Sequence, residues 1–236
     1  ALDREGKVYA WGTGDFGQLG NGATENSSTP VTVDMTGVLS GKTVVSVSVG
    51  MNHSLALCSD GTVVAWGGNE YGQLGNGSTE YTTRPVAVDM SGVLAGKTVV
   101  SVSAGQYHSV ALCSDGTLAA WGWNNSGELG NGATSYFPTT RPVAVDMTGV
   151  LAGKTVVAVS AGQYHSVALC SDGTLAAWGI NYFGQLGNDS TNSSPTPVSV
   201  KTDTGALAGK TVVSVSAGGG HSLALCSDGT VAAWGH

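Results

Sequence analysis

Val99–Gly122, VVSVSAGQYHSVALCSDGTLAAWG, decides the fold. Val99–Gly105 alternates apolar and small polar side chains, the periodicity of a strand. Gln106-Tyr107 make a short turn, and His108–Cys113 is the next strand. Ser114-Asp115-Gly116-Thr117 is a tight hairpin turn in which glycine supplies a positive φ. Leu118–Gly122 is a third strand. Beyond it lies a polar loop containing Gly127-Glu128-Leu129-Gly130-Asn131-Gly132. Arg141–Val145 then reads as a fourth strand, with a proline near its start that suits a sheet edge. Gly149–Lys154 is short and bounded by glycine, which leaves room for a turn or one helical turn. No segment carries a long helical apolar stripe.

The same pattern recurs along the chain. Trp-Gly pairs stand at Trp11, Trp66, Trp121, Trp178 and Trp234, at steps of 55, 55, 57 and 56 residues. A fixed period of this length marks a propeller or another repeat array. The reading is all-β: β-propeller blades of four antiparallel strands, about four repeats of 55–57 residues, in a single domain over residues 1–236. Residues 1–43 form a partial blade that supplies a third strand and an outer strand at Pro30–Val33. Complete blades begin at Val44, Val99 and Val156, and a last blade over 212–236 lacks its outer strand. A propeller avoids exposed edges by closing on itself. Three completions are therefore open: the chain is part of a longer propeller, a homo-oligomer completes the ring, or four blades close alone with the N-terminal strand as a clasp.

Composition narrows the partners. The 37 glycines and 11 % charged residues would suit disorder, but 41 % apolar residues in regular blocks argue against it. Net charge is −7, and the nine Lys and Arg are scattered singly, which disfavours duplex nucleic acid and anionic membrane surfaces. No apolar run reaches 18 residues, so no membrane insertion is expected. Cys58, Cys113, Cys170 and Cys226 fill one slot in successive copies and lie a repeat width apart. They read as small buried hydrophobes rather than disulfide or metal partners, and no cofactor is expected.

The block V-x-V-S-A-G-x-x-H-S-x-A-L-x-S-D-G-T-x-x-A-W-G, followed by G-Q-L-G-N-G and P-V-x-V, resembles the regulator of chromosome condensation repeat. Its G-x-x-H-S elements are Gly50–Ser54, Gly105–Ser109, Gly162–Ser166 and Gly218–Ser222, and its loop elements begin at Gly17, Gly72, Gly127 and Gly184. The resemblance covers essentially the whole chain and implies a β-propeller, usually of seven blades. Nucleotide exchange on a small GTPase, known in the family, depends on a wedge-like insertion and a basic tail that have no counterpart here. Photoreceptor members use G-W-R-H-T motifs; the corresponding slots here hold Met51-Asn52, Gln106-Tyr107, Gln163-Tyr164 and Gly219-Gly220. The close similarity among the copies resembles bacterial surface or secreted repeat proteins, which favours a secreted or cell-surface setting.

A residue present in every copy is first a residue of the fold. The repeated histidines are expected to fix the turn after the first strand by side-chain-to-backbone hydrogen bonds, and the turn aspartates Asp60, Asp115, Asp172 and Asp228 to be solvated. The repeated tryptophans are expected to pack between blades with the indole N–H bonded. Gly12–Gly17 fits G-x-G-x-x-G but opens a loop rather than a helix. Gly92–Thr98 resembles a phosphate loop but leads into a strand. The expected function is a non-catalytic scaffold for protein or glycan interaction through blade-edge loops. The alternative is a structural repeat segment of a larger extracellular protein with no dedicated ligand. Variable loop aromatics are the candidate partner-binding residues. Tyr107 and Tyr164 lead, because first-strand turns in propellers open near the central channel. Met51, Trp123, Tyr182, Phe183, Tyr136 and Phe137 accompany them.

Overall fold

The computed structural model describes residues 1–236. It begins with a two-stranded antiparallel sheet, β1 (Tyr9–Gly12) and β2 (Ser27–Thr32). Three four-stranded meanders follow. The first is β3 (Val44–Val49), β4 (His53–Cys58), β5 (Val63–Gly67) and β6 (Thr82–Ala87). The second is β7 (Val99–Ala104), β8 (His108–Cys113), β9 (Leu118–Asn124) and β10 (Ser135–Ala144), and the third is β11 (Val156–Ala161), β12 (His165–Cys170), β13 (Leu175–Gly179) and β14 (Ser194–Ser199). A three-stranded sheet closes the series: β15 (Val212–Ala217), β16 (His221–Cys226) and β17 (Val231–Gly235). Short 3-10 turns such as Gly149–Leu151 join one blade to the next.

The core lies between blades rather than within them. The second strand of each four-stranded blade is buried throughout because a neighbouring blade covers each of its faces. Along β8, Ala111 and Cys113 pack toward the preceding blade with Leu55, Leu57 and Ala65. Val110 and Leu112 point the other way, into a cluster with Ala168, Cys170 and Trp178 of the following blade. Period-2 alternation therefore distributes one strand between two cores. All four cysteines are buried and unpaired in these layers.

Inner strands of neighbouring blades are tied directly. The Ser48, Ser103 and Ser160 hydroxyls accept the amide N–H of Ala104, Ala161 and Ala217, each at 2.9 Å. Contacts between inner strands run β3 to β7, β7 to β11 and β11 to β15. The blades thus follow an open arc, and β1–β2 does not clasp the last sheet, contrary to the self-closed reading. The fourth strand of the second meander is also longer than its sequence suggests. Strand β9 continues to Asn124, so β10 pairs with it from Ser135 onward, with irregular register around Tyr136–Pro138.

Candidate functional site

Antiparallel connection sorts the loops into two ends. Turns between first and second strands and loops between third and fourth strands emerge together at the loop end. The Ser-Asp-Gly-Thr turns and the blade-to-blade connections emerge at the hairpin end. Every candidate residue lies at the loop end.

That end is built on an interblade clasp. The indole N–H of Trp66, Trp121, Trp178 and Trp234 donates at 2.8–2.9 Å to the carbonyl of Gln18, Gln73, Glu128 and Gln185 in the preceding blade. The following Leu-Gly brings backbone flat onto the indole. A Cβ on Gly75, which has φ +64°, would stand 2.8 Å from Trp121 Nε1, so only glycine fits there. The same carbonyls accept the hydroxyls of Ser54, Ser109, Ser166 and Ser222.

Three of these serines are also partners of the repeat histidines. Nε2 of His53, His108 and His165 lies 2.8–2.9 Å from Ser109, Ser166 and Ser222 Oγ of the following blade. The expected side-chain-to-backbone bonds are replaced by side-chain pairs across the interface, because blade rotation brings the next serine closer than the histidine's own turn. Each serine proton goes to a backbone carbonyl, so the histidine must donate from Nε2. The Nδ1 lone pair is then buried without a partner. Burial holds His53 and His165 down to about 4 and His108 to about 3. These pairs do not serve as activated nucleophiles: the proton runs from histidine to serine, the reverse of base activation.

The turn aspartates are also not simply solvated. Asp60, Asp115, Asp172 and Asp228 accept the amide two residues on and pair with Lys42, Lys97, Lys154 and Lys210 of the adjacent connection at 2.5–2.7 Å. Those hydrogen bonds hold all four carboxyls well below the usual carboxylate range.

Above the clasps the blades differ. The slot before each loop glycine holds Phe16, Tyr71, Ser126 and Phe183. Its side chain lies over the next blade: Phe16 against Gly68, and Phe183 against Gly220. Tyr71 packs edge-on against Tyr107 at 4.9 Å and Trp123 at 4.7 Å, and Tyr107 approaches Tyr164 at 6.1 Å. Tyr71, Tyr107, Trp123 and Tyr164 thus form one half-buried tier across three blades. The structure turns Tyr107 and Tyr164 outward over the blade junctions. The axial depression is lined instead by Met51, Gln106, Gln163 and Gly219, one residue earlier in each turn. The two tyrosines therefore do not open on the channel, because the turn alternates inward and outward side chains. Tyr136 and Phe137 protrude from the irregular start of β10 at 79 % and 81 % exposure, and Tyr182 and Phe183 are exposed on the next loop.

Two residues escaped the sequence reading. Tyr71 joins the tier from a neighbouring blade; the recurrence of aromatics at its slot was the available signal. Glu128 occupies the position of Gln18, Gln73 and Gln185. Its Oε2 accepts the Ser126 amide at 2.8 Å, while its buried Oε1 has no partner. Burial pushes this carboxyl up to about 7.

Radial four-stranded meanders joined by interblade clasps define a propeller-blade protein. The RCC1-like domain model matches residues 1–236, and the chain belongs to that family. It is 33 % identical over 229 residues to the ultraviolet-B receptor UVR8 of Arabidopsis thaliana, covering 97 % of this chain and 49 % of the receptor. It is 33 % identical over 237 residues to the human E3 ubiquitin-protein ligase HERC2, spanning 100 % of this chain and 5 % of the ligase. Yeast RCC1 (Prp20), solved with Kap60, superposes with TM-score 0.81 at 27 % identity, covering 100 % of this chain and 53 % of Prp20. Human WBSCR16 superposes equally well, with TM-score 0.81 at 27 % identity, over 96 % of this chain and 55 % of its own. The chain thus spans about half the length of the receptor and of both solved structures.

Proposed function

We propose that the chain is a non-catalytic interaction scaffold that holds a partner protein against the loop end of its blades. One observation carries this reading: the side chains that break the repeat gather at that end, and they are aromatic. Tyr71, Tyr107, Trp123 and Tyr164 assemble from three blades, and Tyr136 and Phe137 project beside the loops. Aromatic side chains carry much of the energy of protein interfaces. The histidines and serines that could suggest catalysis are committed to interblade bonds, and the turn aspartates are paired with lysines of the connections. A solved relative, Prp20, is bound to another protein, Kap60, which favours a protein ligand over a glycan.

The test compares proteins retained from native extract by the chain and by a Tyr71→Ala/Tyr164→Ala double variant. A protein held by the parent and lost by a variant that melts within a few degrees supports the proposal. Identical retention by both overturns it.

A further inference from the structure

We infer that the loop end captures a lysine- or arginine-bearing segment of another protein on the Tyr71, Tyr107, Trp123 and Tyr164 tier; this rests on the scaffold reading and names the chemistry of its partner.

The first support is the placement of charge. Eight of the nine Lys and Arg residues are in ion pairs, leaving Arg4 alone. Of the 16 acids the same pairs use eight. The net charge of −7 is therefore carried by eight unpaired acids against Arg4. Five of those acids, Asp15, Glu25, Glu70, Glu80 and Glu128, belong to loop-end segments. No Lys or Arg does: the cations sit in the hairpin-end turns and connections, on outer strands β6 and β10, or just after β14. Asp189 is the one loop-segment acid with an ion-pair partner, Lys201 just after β14, so the exposed Asp15, Glu25, Glu70 and Glu80 leave the loop end with an excess of negative charge that steers a cationic partner toward it.

The second support is the tier itself. Tyrosine and tryptophan faces attract Lys and Arg through the ring quadrupole, and more strongly where water is partly excluded. All four rings are half-buried. Glu70 lies near enough to Tyr71 for its charge to act on the phenol. A cation resting on the tier therefore meets aromatic faces and a carboxylate together.

The third support is the break in the repeat beneath Tyr164. Ser126 replaces the aromatic residue found in the other three loops, so this junction lacks its lid. Glu128 replaces glutamine under the same loop, with a fully buried carboxyl oxygen that nothing in the chain satisfies. Its charge is felt at Tyr164. An orphaned buried acceptor near Tyr164 is complementary to an N–H donor bearing positive charge.

The experiment is fluorescence anisotropy with a labelled alternating Lys-Arg octapeptide, beside Gln-Ser and Glu-Asp octapeptides of equal length. The cationic peptide is expected to bind at low salt and weaken as salt rises, while the two controls do not bind. Tyr71→Ala and Tyr164→Ala should each weaken binding about 10-fold, Tyr71→Phe should retain it, and Glu70→Gln should weaken it about 3-fold. Asp203→Asn removes an equal charge outside the loop end and should change nothing. Equal binding of the Gln-Ser peptide overturns the inference. So does a Lys-Arg affinity that Asp203→Asn lowers as much as Glu70→Gln does. A protein partner that depends on Tyr71 and Tyr164, found alongside no Lys-Arg binding, overturns the cationic assignment while leaving the scaffold reading intact.

Discussion

Glu128→Gln isolates the effect of one buried carboxyl on the whole fold. The parent loops at Gln18, Gln73 and Gln185 already use an amide oxygen to accept the hydrogen bond that Glu128 takes from Ser126. The substitution keeps that bond and the side-chain size, and removes only the ionisation. The carboxyl moves from an ordinary 4.5 to about 7 on folding. A raised folded value means its stability contribution is complete below 4.5 and lost as pH rises through 7. The difference amounts to about 3 kcal/mol above pH 7 and to under about 1 kcal/mol at pH 5. For a chain of this size each kcal/mol shifts Tm by about 2–4 °C. The variant should therefore melt about 6–12 °C above the parent at pH 8, and only about 2–3 °C above it at pH 5. Circular dichroism melts of both proteins at the two pH values decide the matter. An equal gain at both would show that the carboxyl is not held unfavourably ionised, and the account of this junction would fall.

The buried histidines impose the opposite dependence. Their folded values of about 3–4 against 6.5 leave stability whole above pH 6.5 and remove it as pH falls toward 4, by about 2 kcal/mol per histidine at pH 5; denaturant midpoints at pH 7 and 5, taken in the Glu128→Gln background, should fall accordingly. Gly75→Ala forces a Cβ into Trp121 at a positive φ, and should lower unfolding stability by about 2–3 kcal/mol in a urea titration. Asp34 and Asp89 pair with Arg84 and Arg141 of the next blade, whereas Asp146 faces a blade with Thr196 in that slot. Thr196→Arg should raise the urea midpoint slightly, and the gain should vanish in an Asp146→Asn background and in high salt.

The repeat, the first three strands of each blade and the radial arrangement were legible because they rest on local alternation and on a period counted along the chain. What joins the blades was less so. A histidine's partner lies 56–58 residues away, and a tryptophan's acceptor is a backbone carbonyl about 48 residues upstream. Neither distance leaves a local pattern; both follow from the rotation of one blade on the next. The aromatic candidates were found as deviations from the repeat, but their grouping depended on Tyr71, whose loop reaches across an interface. Glu128 was visible as the one acid among three glutamines. Its significance appears only with burial, since an exposed glutamate at that slot would be unremarked.

The clasp has a consequence for how such a chain grows. Each unit carries both halves of the lock: a tryptophan and a serine facing the preceding neighbour, and a loop carbonyl, its glycine backbone and a histidine facing the following one. A copied unit therefore arrives with a matching plug and socket, and its insertion between two existing blades creates no unmatched interface. Residues 99–122 and 156–179 differ at one position, Ser101 against Ala158. Such near-identity is tolerated because every junction asks for the same two surfaces. Blade number can thus change by whole units at the level of the gene, while the loops of each copy remain free to diverge.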